Sequence, residues 1–179
     1  MKQTALPKIF RRLLYLFSFV QISIPLLAQN YIYVGDTQYE STETWAFPIN
    51  GTSWGPTIEI TIGKDNAKGL LMLQTEVPPG SYIGGNVYLF LSDGSKITCL
   101  DKNVKDNVDN KSIAIYKFTA EEILKLKEYH IAKIRFTIQP SSYEGFNGTK
   151  TADNRNLYFS SSASGDYRET DRAVIELFD

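Results

Sequence analysis

The chain contains one cysteine and one histidine, and their chemistry is the first to consider. Cys99 lies in the segment KITCLDK (96–102), and His130 follows further along the chain. A thiol beside a base can act as a nucleophile, but reactive thiolates are usually found at helix N-termini or next to positive charge. Free cysteine is also among the residue types most often buried. We therefore expect Cys99 to lie unreactive within a sheet rather than to form a catalytic pair with His130.

Acidic side chains cluster in the segment DKNVKDNVDN, which contains Asp101, Asp106 and Asp109. A helix–loop–helix calcium site needs ligands at alternate positions, a glycine at the sixth and a glutamate at the twelfth, and this segment lacks that spacing. An irregular loop could still bind calcium through oxygen ligands, so these three residues are the metal candidates. The simpler interpretation is a solvated loop, and we expect neither a metal nor a cofactor.

Aromatic side chains offer a third kind of chemistry, because their faces can stack against sugar rings. Trp45 and Phe47 lie two residues apart on one face of a strand, where aromatic residues usually fill a core. Rings in loops are better placed to meet a ligand, because a rigid scaffold displays them. The rings flanked by Gly, Ser, Pro or Asn, which we predict as ligand-binding residues, are Trp54, Tyr143 and Phe146.

The segment that contains Cys99 is predicted to be a hairpin. In GNVYLFLSDGSKITCL (85–100), two apolar runs flank Asp93-Gly94, a pair suited to a two-residue turn. Such a turn pairs Tyr88 with Cys99 and brings both onto one face with Phe90, because paired residues share a face. Apolar surroundings of this kind raise the pKa of a thiol and make it inert.

Alternating apolar residues predict further strands on both sides of this hairpin. The segments with this pattern are TIEITIG (57–63), LLMLQTE (70–76), SIAIYKF (112–118) and IAKIRFTI (131–138). In the last of these, Phe136 is predicted to face the core and Arg135 the solvent. A further short strand is predicted near Leu157–Phe159.

Two segments depart from the strand pattern. TAEEILKLKEY (119–129) has helical spacing and begins with a capping box formed by Thr119 and Glu122. The C-terminal segment TDRAVIELFD favours a short helix capped by Thr170. Six or more short strands with only small helices predict a mainly β fold, an antiparallel β-sandwich with one short helix at about 119–129 and a possible C-terminal helix.

Residues 1–28 have the layout of a secretory signal peptide. Four basic residues precede an apolar run from Leu13 to Leu27, and the small residue Ala28 precedes Gln29. The run is shorter than a membrane-spanning helix requires, so we expect cleavage and no membrane insertion afterwards. A lipoprotein needs a cysteine after the cleavage site, where Gln29 stands. We therefore expect a mature single domain, 29–179, that is periplasmic or extracellular.

Cleavage changes the charge of the chain. The full sequence has 19 Lys and Arg against 20 Asp and Glu, and residues 1–28 contain four of the basic residues and no acidic one. The mature chain therefore has 15 basic and 20 acidic residues, a formal net charge of −5. Such a surface repels phosphate backbones, so we expect no nucleic-acid partner. One cysteine allows no internal disulfide.

Three stretches of the chain resemble a group of small exported proteins from Gram-negative bacteria of the Bacteroidetes type. They are YIYVGDTQYESTETWAF (31–47), GNVYLFLSDGSKITC (85–99) and YKFTAEEILKLKEYHIAKIRFTI (116–138). The resemblance implies an exported, β-rich protein. It implies no activity and no site residue.

Three hypotheses for function follow. The leading one is an exported, non-catalytic binding or accessory module whose partner is a glycan or an envelope protein. The first alternative is a hydrolase of cell-wall or dietary polymer that uses loop carboxylates, and the second is a structural envelope protein that pairs through an exposed strand edge. A flat strip of aromatic rings favours the module, converging acids in a deep cleft favour the hydrolase, and an open edge strand favours pairing.

Overall fold

The structure is a computed structural model that describes residues 29–51, 56–108, 110–143, 145–155 and 167–179. Four sequence predictions lie outside these residues: the signal peptide (1–28), the binding residue Trp54, the metal candidate Asp109 and the strand near Leu157–Phe159. Within the described ranges, no helix has the length and apolar character needed to cross a membrane.

The described strands form two antiparallel sheets. The large sheet contains β1 (Asn30–Val34), β2 (Thr37–Ser41), β3 (Trp45–Pro48), β4 (Thr57–Asp65), β5 (Lys68–Glu76), β8 (Val104–Val108) and β9 (Lys111–Phe118). The small sheet contains β6 (Ser81–Leu91), β7 (Lys96–Cys99), β10 (Ile131–Pro140) and β11 (Gly148–Asp153). The helices are α1 (Ala120–Glu128) and α2 (Thr170–Phe178). The predicted β-sandwich with a short helix between strands and a C-terminal helix is confirmed.

Each sheet is built mainly from hairpins, so most strands lie beside a strand that precedes or follows them in the sequence. The large sheet has the order β1-β2-β4-β5-β9-β8, with β3 paired to β4 beside β2, and the small sheet has the order β11-β10-β6-β7. The two sheets meet where β3 ends, because the Asn50 amide donates a hydrogen bond to the Thr151 carbonyl at 2.8 Å. Ile49 also forms a bridge with Ala152 in β11.

The core lies between the sheets and is filled by the inward side of the alternating strands. Trp45 and Phe47 are buried, as predicted, and pack in the same cluster as Phe136 from the small sheet. Phe136 is fully buried whereas Arg135 is exposed, which confirms the predicted faces of β10.

Helix α1 begins with the predicted capping box. The Thr119 hydroxyl accepts a hydrogen bond from the Glu122 amide at 3.2 Å, and the Glu122 carboxylate accepts one from the Thr119 amide at 2.8 Å. Helix α2 differs from the prediction at its first residue. Thr170 is not a cap, because its hydroxyl accepts a hydrogen bond from the Ile131 amide at 2.8 Å and so fastens the helix to β10.

The β6–β7 hairpin has a pairing one residue away from the predicted one. The turn contains three residues, since the Leu91 amide donates to the Ser95 carbonyl at 2.9 Å and Gly94 takes a φ of 85°. A type I turn followed by a residue with positive φ is the usual three-residue hairpin loop. Cys99 therefore pairs with Val87 rather than with Tyr88, which pairs with Thr98.

The acidic segment 101–110, predicted to be a solvated loop, contains an exposed edge strand. Val104–Val108 forms β8, which pairs with β9 at the edge of the large sheet. Val104 lies opposite Ile115 and Val108 lies opposite Lys111. The two valines face the same side of the strand, a period of two that the intervening Lys, Asp and Asn residues obscured.

Candidate ligand-binding face

Cys99 and His130 do not form a catalytic pair. The side chain of Cys99 is buried in the core, and this burial, together with the negative charge of Glu122, raises the pKa of the thiol. The ring of His130 instead stacks on that of Tyr167, with the ring centroids 4.3 Å apart. The described residues show no hydrogen bond between the two side chains. Thiolate chemistry therefore has no base and no access to solvent at this position.

Asp101 has a structural role. Its carboxylate accepts hydrogen bonds from the amides of Gly85 at 2.8 Å and Asn103 at 2.7 Å, and it lies 3.4 Å from the ammonium of Lys105. Partial burial acts to raise the pKa of Asp101, but these hydrogen bonds and the Lys105 charge outweigh it and hold the pKa below its usual value. The carboxylate of Asp101 is thus already bound by neighbouring groups of the protein.

The other metal candidates do not join Asp101 in a site. Asp106 lies exposed on β8, where its carboxylate accepts a hydrogen bond from the Asn107 amide at 2.8 Å. Asp109 is outside the described residues. Across the part of the chain that the structure describes, no group of three or more His, Cys, Asp or Glu side chains is arranged to hold a metal ion.

Two of the predicted ligand-binding rings lie in the loop between β10 and β11. Tyr143 is fully exposed beside a surface cavity of about 460 Å³. Phe146 is 39% exposed, its amide donates a hydrogen bond to the Ser81 hydroxyl, and the ammonium of Lys150 lies 4.9 Å from its ring centroid. No ring contact joins Tyr143 to Phe146 among the described residues, so the loop presents one free ring rather than a platform.

Two aromatic rings lie on the outer surface of the small sheet, whereas the predicted hairpin placed them on the same face as Cys99. Tyr88 and Phe90 lie two residues apart on β6, both half-buried, with their neighbours Val87, Leu89 and Leu91 facing the core. We call the surface formed by these two rings and the side chains beside them the aromatic–cationic face. Its members are Tyr88, Phe90, Lys96, Thr98, Lys133 and Arg135.

Strand register fixes which side chains are neighbours on this face. Phe90 lies between Lys133 of β10 and Lys96 of β7, which pair with it on either side. Tyr88 lies between Arg135 of β10 and Thr98 of β7 in the next row. Tyr88 and Phe90 therefore each have at least one cationic neighbour in an adjacent strand.

The cationic groups lean diagonally over the rings. The ammonium of Lys96 lies 5.1 Å from the ring centroid of Tyr88, and the guanidinium carbon of Arg135 lies 5.6 Å from that of Phe90. Diagonal neighbours on adjacent strands are within reach of such long side chains. A cation–π contact at an exposed site contributes about 0.5–1 kcal/mol. The contacts therefore hold both positive charges above the sheet.

These charges lack acidic partners in the described part of the chain. The ion pairs there include neither Lys96 nor Arg135. Lys133 lies 3.6 Å from Asp153, which is the one acidic residue in the four strands of the small sheet. The outer surface of the small sheet is thus positive, although the mature chain is predicted to be negative overall.

A bulge in β6 positions the two rings. Tyr88 lies opposite Arg135, but Gly84 lies opposite Thr137, so β6 contains extra residues between them. Gly85 within the bulge has a φ of 73°, and its carbonyl accepts a hydrogen bond from the hydroxyl of Tyr116 at 3.1 Å. Bulges bend a strand and re-aim its side chains. This one is held from the core side by Tyr116 and from the loop side by Asp101.

A different surface tests the hydrolase hypothesis. Two adjoining grooves of about 630 and 320 Å³ run beside α2 and share Glu43 and Glu176 in their lining. Both side chains are exposed, and each accepts a hydrogen bond from a neighbour, Glu43 from the indole of Trp45 and Glu176 from Arg172. The acid of a glycosidase usually lies in an apolar pocket. The carboxylates of these grooves have no such pocket.

Comparison with protein-family models, curated proteins and solved structures finds no match to this chain.

The sequence contains one signal that could have found this face. A strand whose two sides are Val87-Leu89-Leu91 and Tyr88-Phe90 is apolar on both, so periodicity alone cannot choose the buried side. A phenol hydroxyl prefers a position with access to water, which favours the surface for Tyr88. Placing the charged Lys96 opposite a surface ring rather than a core leucine would then have given the observed register.

Proposed function

We propose that this protein is an exported, non-catalytic binding module that holds an extended glycan on the aromatic–cationic face. Export rests on the layout of residues 1–28 and gives a periplasmic or extracellular location. The observation that carries the binding role is the pair of half-buried rings, Tyr88 and Phe90, on an open sheet surface.

The geometry of the rings supports a ligand that lies along β6. Residues two apart on a strand are separated by about 6.4–6.8 Å, so the rings form a short platform rather than a pocket. Each ring is partly buried at its base, which limits the rotamer entropy lost when a ligand binds. An open sheet surface that combines two aromatic rings with hydrogen-bonding cations suits a sugar, whose faces are rich in C–H groups and whose edges carry hydroxyls.

The experiment is a glycan array probed with the exported protein, followed by titration of each ligand found. Tyr88→Ala and Phe90→Ala should each weaken binding, and the double variant should abolish it. Tyr33→Ala is the matched control, because Tyr33 is 63% exposed on β1 of the other sheet. Tyr143→Ala tests the loop ring in the same assay. All variants are first compared with the parent by denaturant unfolding.

Three results would contradict the proposal. One is binding that Tyr88→Ala and Phe90→Ala leave unchanged, and another is equal loss in the Tyr33→Ala control. Release of shorter sugars from any array glycan would instead support the hydrolase hypothesis.

A second candidate role rests on β8. This strand lies at one end of the large sheet, and its valines Val104 and Val108 are 38% and 49% exposed. An edge strand with exposed apolar residues can add a strand from another chain, as the envelope-pairing hypothesis requires. Light scattering tests this role. Association that Val108→Lys abolishes would support pairing, and a monomer at all concentrations would contradict it.

A further inference from the structure

We infer that the ligand of the aromatic–cationic face is an acidic polysaccharide, whose carboxylate or sulfate groups bind Lys96 and Arg135 while its sugar rings lie on Tyr88 and Phe90. This inference rests on the proposed function and specifies the chemical class of the ligand.

Charge is distributed unequally between the two sheets. The outer face of the small sheet has three cationic residues, Lys96, Lys133 and Arg135, and one acidic residue, Asp153, which lies near Lys133. The strands of the large sheet contain equal numbers of both signs. A surface that only needs solubility mixes both signs. The concentration of positive charge on one surface of a net negative chain indicates an anionic partner.

The two charges without acidic partners lie close to the two rings. Lys96 and Arg135 lie on opposite sides of β6, on β7 and β10, and both head groups lie close to a ring of that strand. Adjacent strands are about 4.7–4.9 Å apart, so a sugar chain that lies along β6 passes within reach of both charges. A ligand that stacks on the rings must therefore meet both cations. A neutral glycan would leave them desolvated and unpaired, at a cost in binding free energy.

Binding sites for single-stranded nucleic acid also combine aromatic side chains with cations, but their arrangement differs from this face. Proteins that bind single strands use a continuous positive groove that follows the phosphate backbone. Here the described face offers two cations without acidic partners, on a chain with a predicted net charge of −5. Two cations beside the rings suit the acidic groups of one or two neighbouring sugars, whereas a phosphate backbone needs a positive path along several nucleotides.

The test compares ligands that differ only in charge. Hexagalacturonate and a chondroitin sulfate hexasaccharide are titrated beside the methyl ester of the first and the desulfated, methyl-esterified form of the second. We expect the more tightly bound acidic probe to exceed its neutral form by about five- to tenfold, as two exposed ion pairs allow. The advantage should decline as salt rises from 50 to 500 mM, because salt screens exposed charges.

Variants assign the effect to the face. Lys96→Gln and Arg135→Gln should each reduce the preference for the acidic form, and the double variant should remove it while binding of the neutral form persists. Lys117→Gln is the matched control, because Lys117 is an exposed cation on β9 of the large sheet. The preference of the Lys117→Gln variant for the acidic form should equal that of the parent protein.

The outcomes separate this inference from the proposed function. Equal binding of acidic and neutral forms, weakened by Tyr88→Ala, would keep the glycan site and overturn the inference. Absence of binding to all four saccharides at millimolar concentration would overturn both. Tighter binding of a thymidine oligonucleotide, lost in the Lys96→Gln and Arg135→Gln double variant, would replace the saccharide by a nucleic acid.

Discussion

Val87 lies directly opposite Cys99 in the antiparallel pair of β6 and β7, and both side chains are buried in the core between the sheets. The thiol is therefore surrounded by aliphatic groups from both strands of the hairpin. Because burial disfavours a charged thiolate, the reactive form of Cys99 is scarce in the folded protein.

Cys99 should react with a thiol reagent only after unfolding. We expect slow labelling in buffer and complete, rapid labelling in denaturant. The absorbance of the released chromophore measures both rates. The control is Thr98→Cys in a Cys99→Ala background, because Thr98 is half-buried on the opposite, outer side of β7. This thiol should react quickly in the folded protein. The reverse order of rates would mean that the register of the hairpin is shifted by one residue.

Phe136 and Arg135 are neighbours in sequence on opposite faces of β10, and their substitutions should differ sharply in cost. Phe136→Ala removes a fully buried ring from the core and should lower the free energy of unfolding by about 3–5 kcal/mol. Arg135→Ala should change it by no more than about 0.5 kcal/mol. Denaturant unfolding measures both. Similar losses for the two variants would contradict the assigned faces.

Asp101 should stabilise the fold in a pH-dependent way. Its pKa is lowered in the folded chain, so its contribution is present above the ordinary aspartate pKa of about 3.9 and is lost as the pH falls through the folded value. Asp101→Asn should lower the free energy of unfolding by about 1–3 kcal/mol at pH 7. The substitution removes the carboxylate charge that accepts hydrogen bonds from the Gly85 and Asn103 amides. The difference from the parent should shrink as the pH falls below 4.

The matched control for this prediction is Asp106→Asn, at an exposed position on β8. Its cost at pH 7 should stay within about 0.5 kcal/mol. A loss for Asp101→Asn that is as large at pH 2.5 as at pH 7 would show that packing, rather than the carboxylate charge, is responsible.

Thr170 and Asn154 hold the peptide groups of Ile131 from two directions. The Thr170 hydroxyl accepts from the Ile131 amide at 2.8 Å, and the Asn154 side chain donates to the Ile131 carbonyl at 2.7 Å. Thr170→Val keeps the shape but leaves a buried amide without its acceptor, so it should cost about 1–3 kcal/mol. Thr149→Val, at an exposed position on β11, is the control for the change of residue type. Equal stability of the two variants would contradict the role of Thr170.

Local patterns predicted those elements that are stabilised within their own segment. The capping box of Thr119 and Glu122 and the alternation that buries Phe136 act within a few residues, so the sequence contains them directly. The strand β8 was missed because its stability comes from pairing with β9, and its polar residues resemble those of a loop. Thr170 was assigned to a cap because its partner, the Ile131 amide, is distant in sequence.

Hydrophobic periodicity alone does not predict the candidate site, because the site depends on register. A turn of two residues and a turn of three differ by one step in pairing, and one step moves Tyr88 from the core side to the outer side. The assembly of Lys96 and Arg135 around the rings further requires that β7 and β10 both pair with β6. No spacing within one segment encodes that arrangement. The sequence therefore favours the rings in loops, where a rigid scaffold commonly displays binding residues.

The joint between the sheets at Asn50 and Thr151 has a consequence for folding kinetics. This hydrogen bond, and the one from the Lys64 ammonium to the Leu177 carbonyl at 2.8 Å, connect parts of the chain that are more than a hundred residues apart. Folding rates fall as such non-local contacts come to dominate a topology. The sandwich therefore cannot close until nearly all of the chain has been synthesised, and for a protein that we propose to be exported, this delay keeps the polypeptide open to translocation.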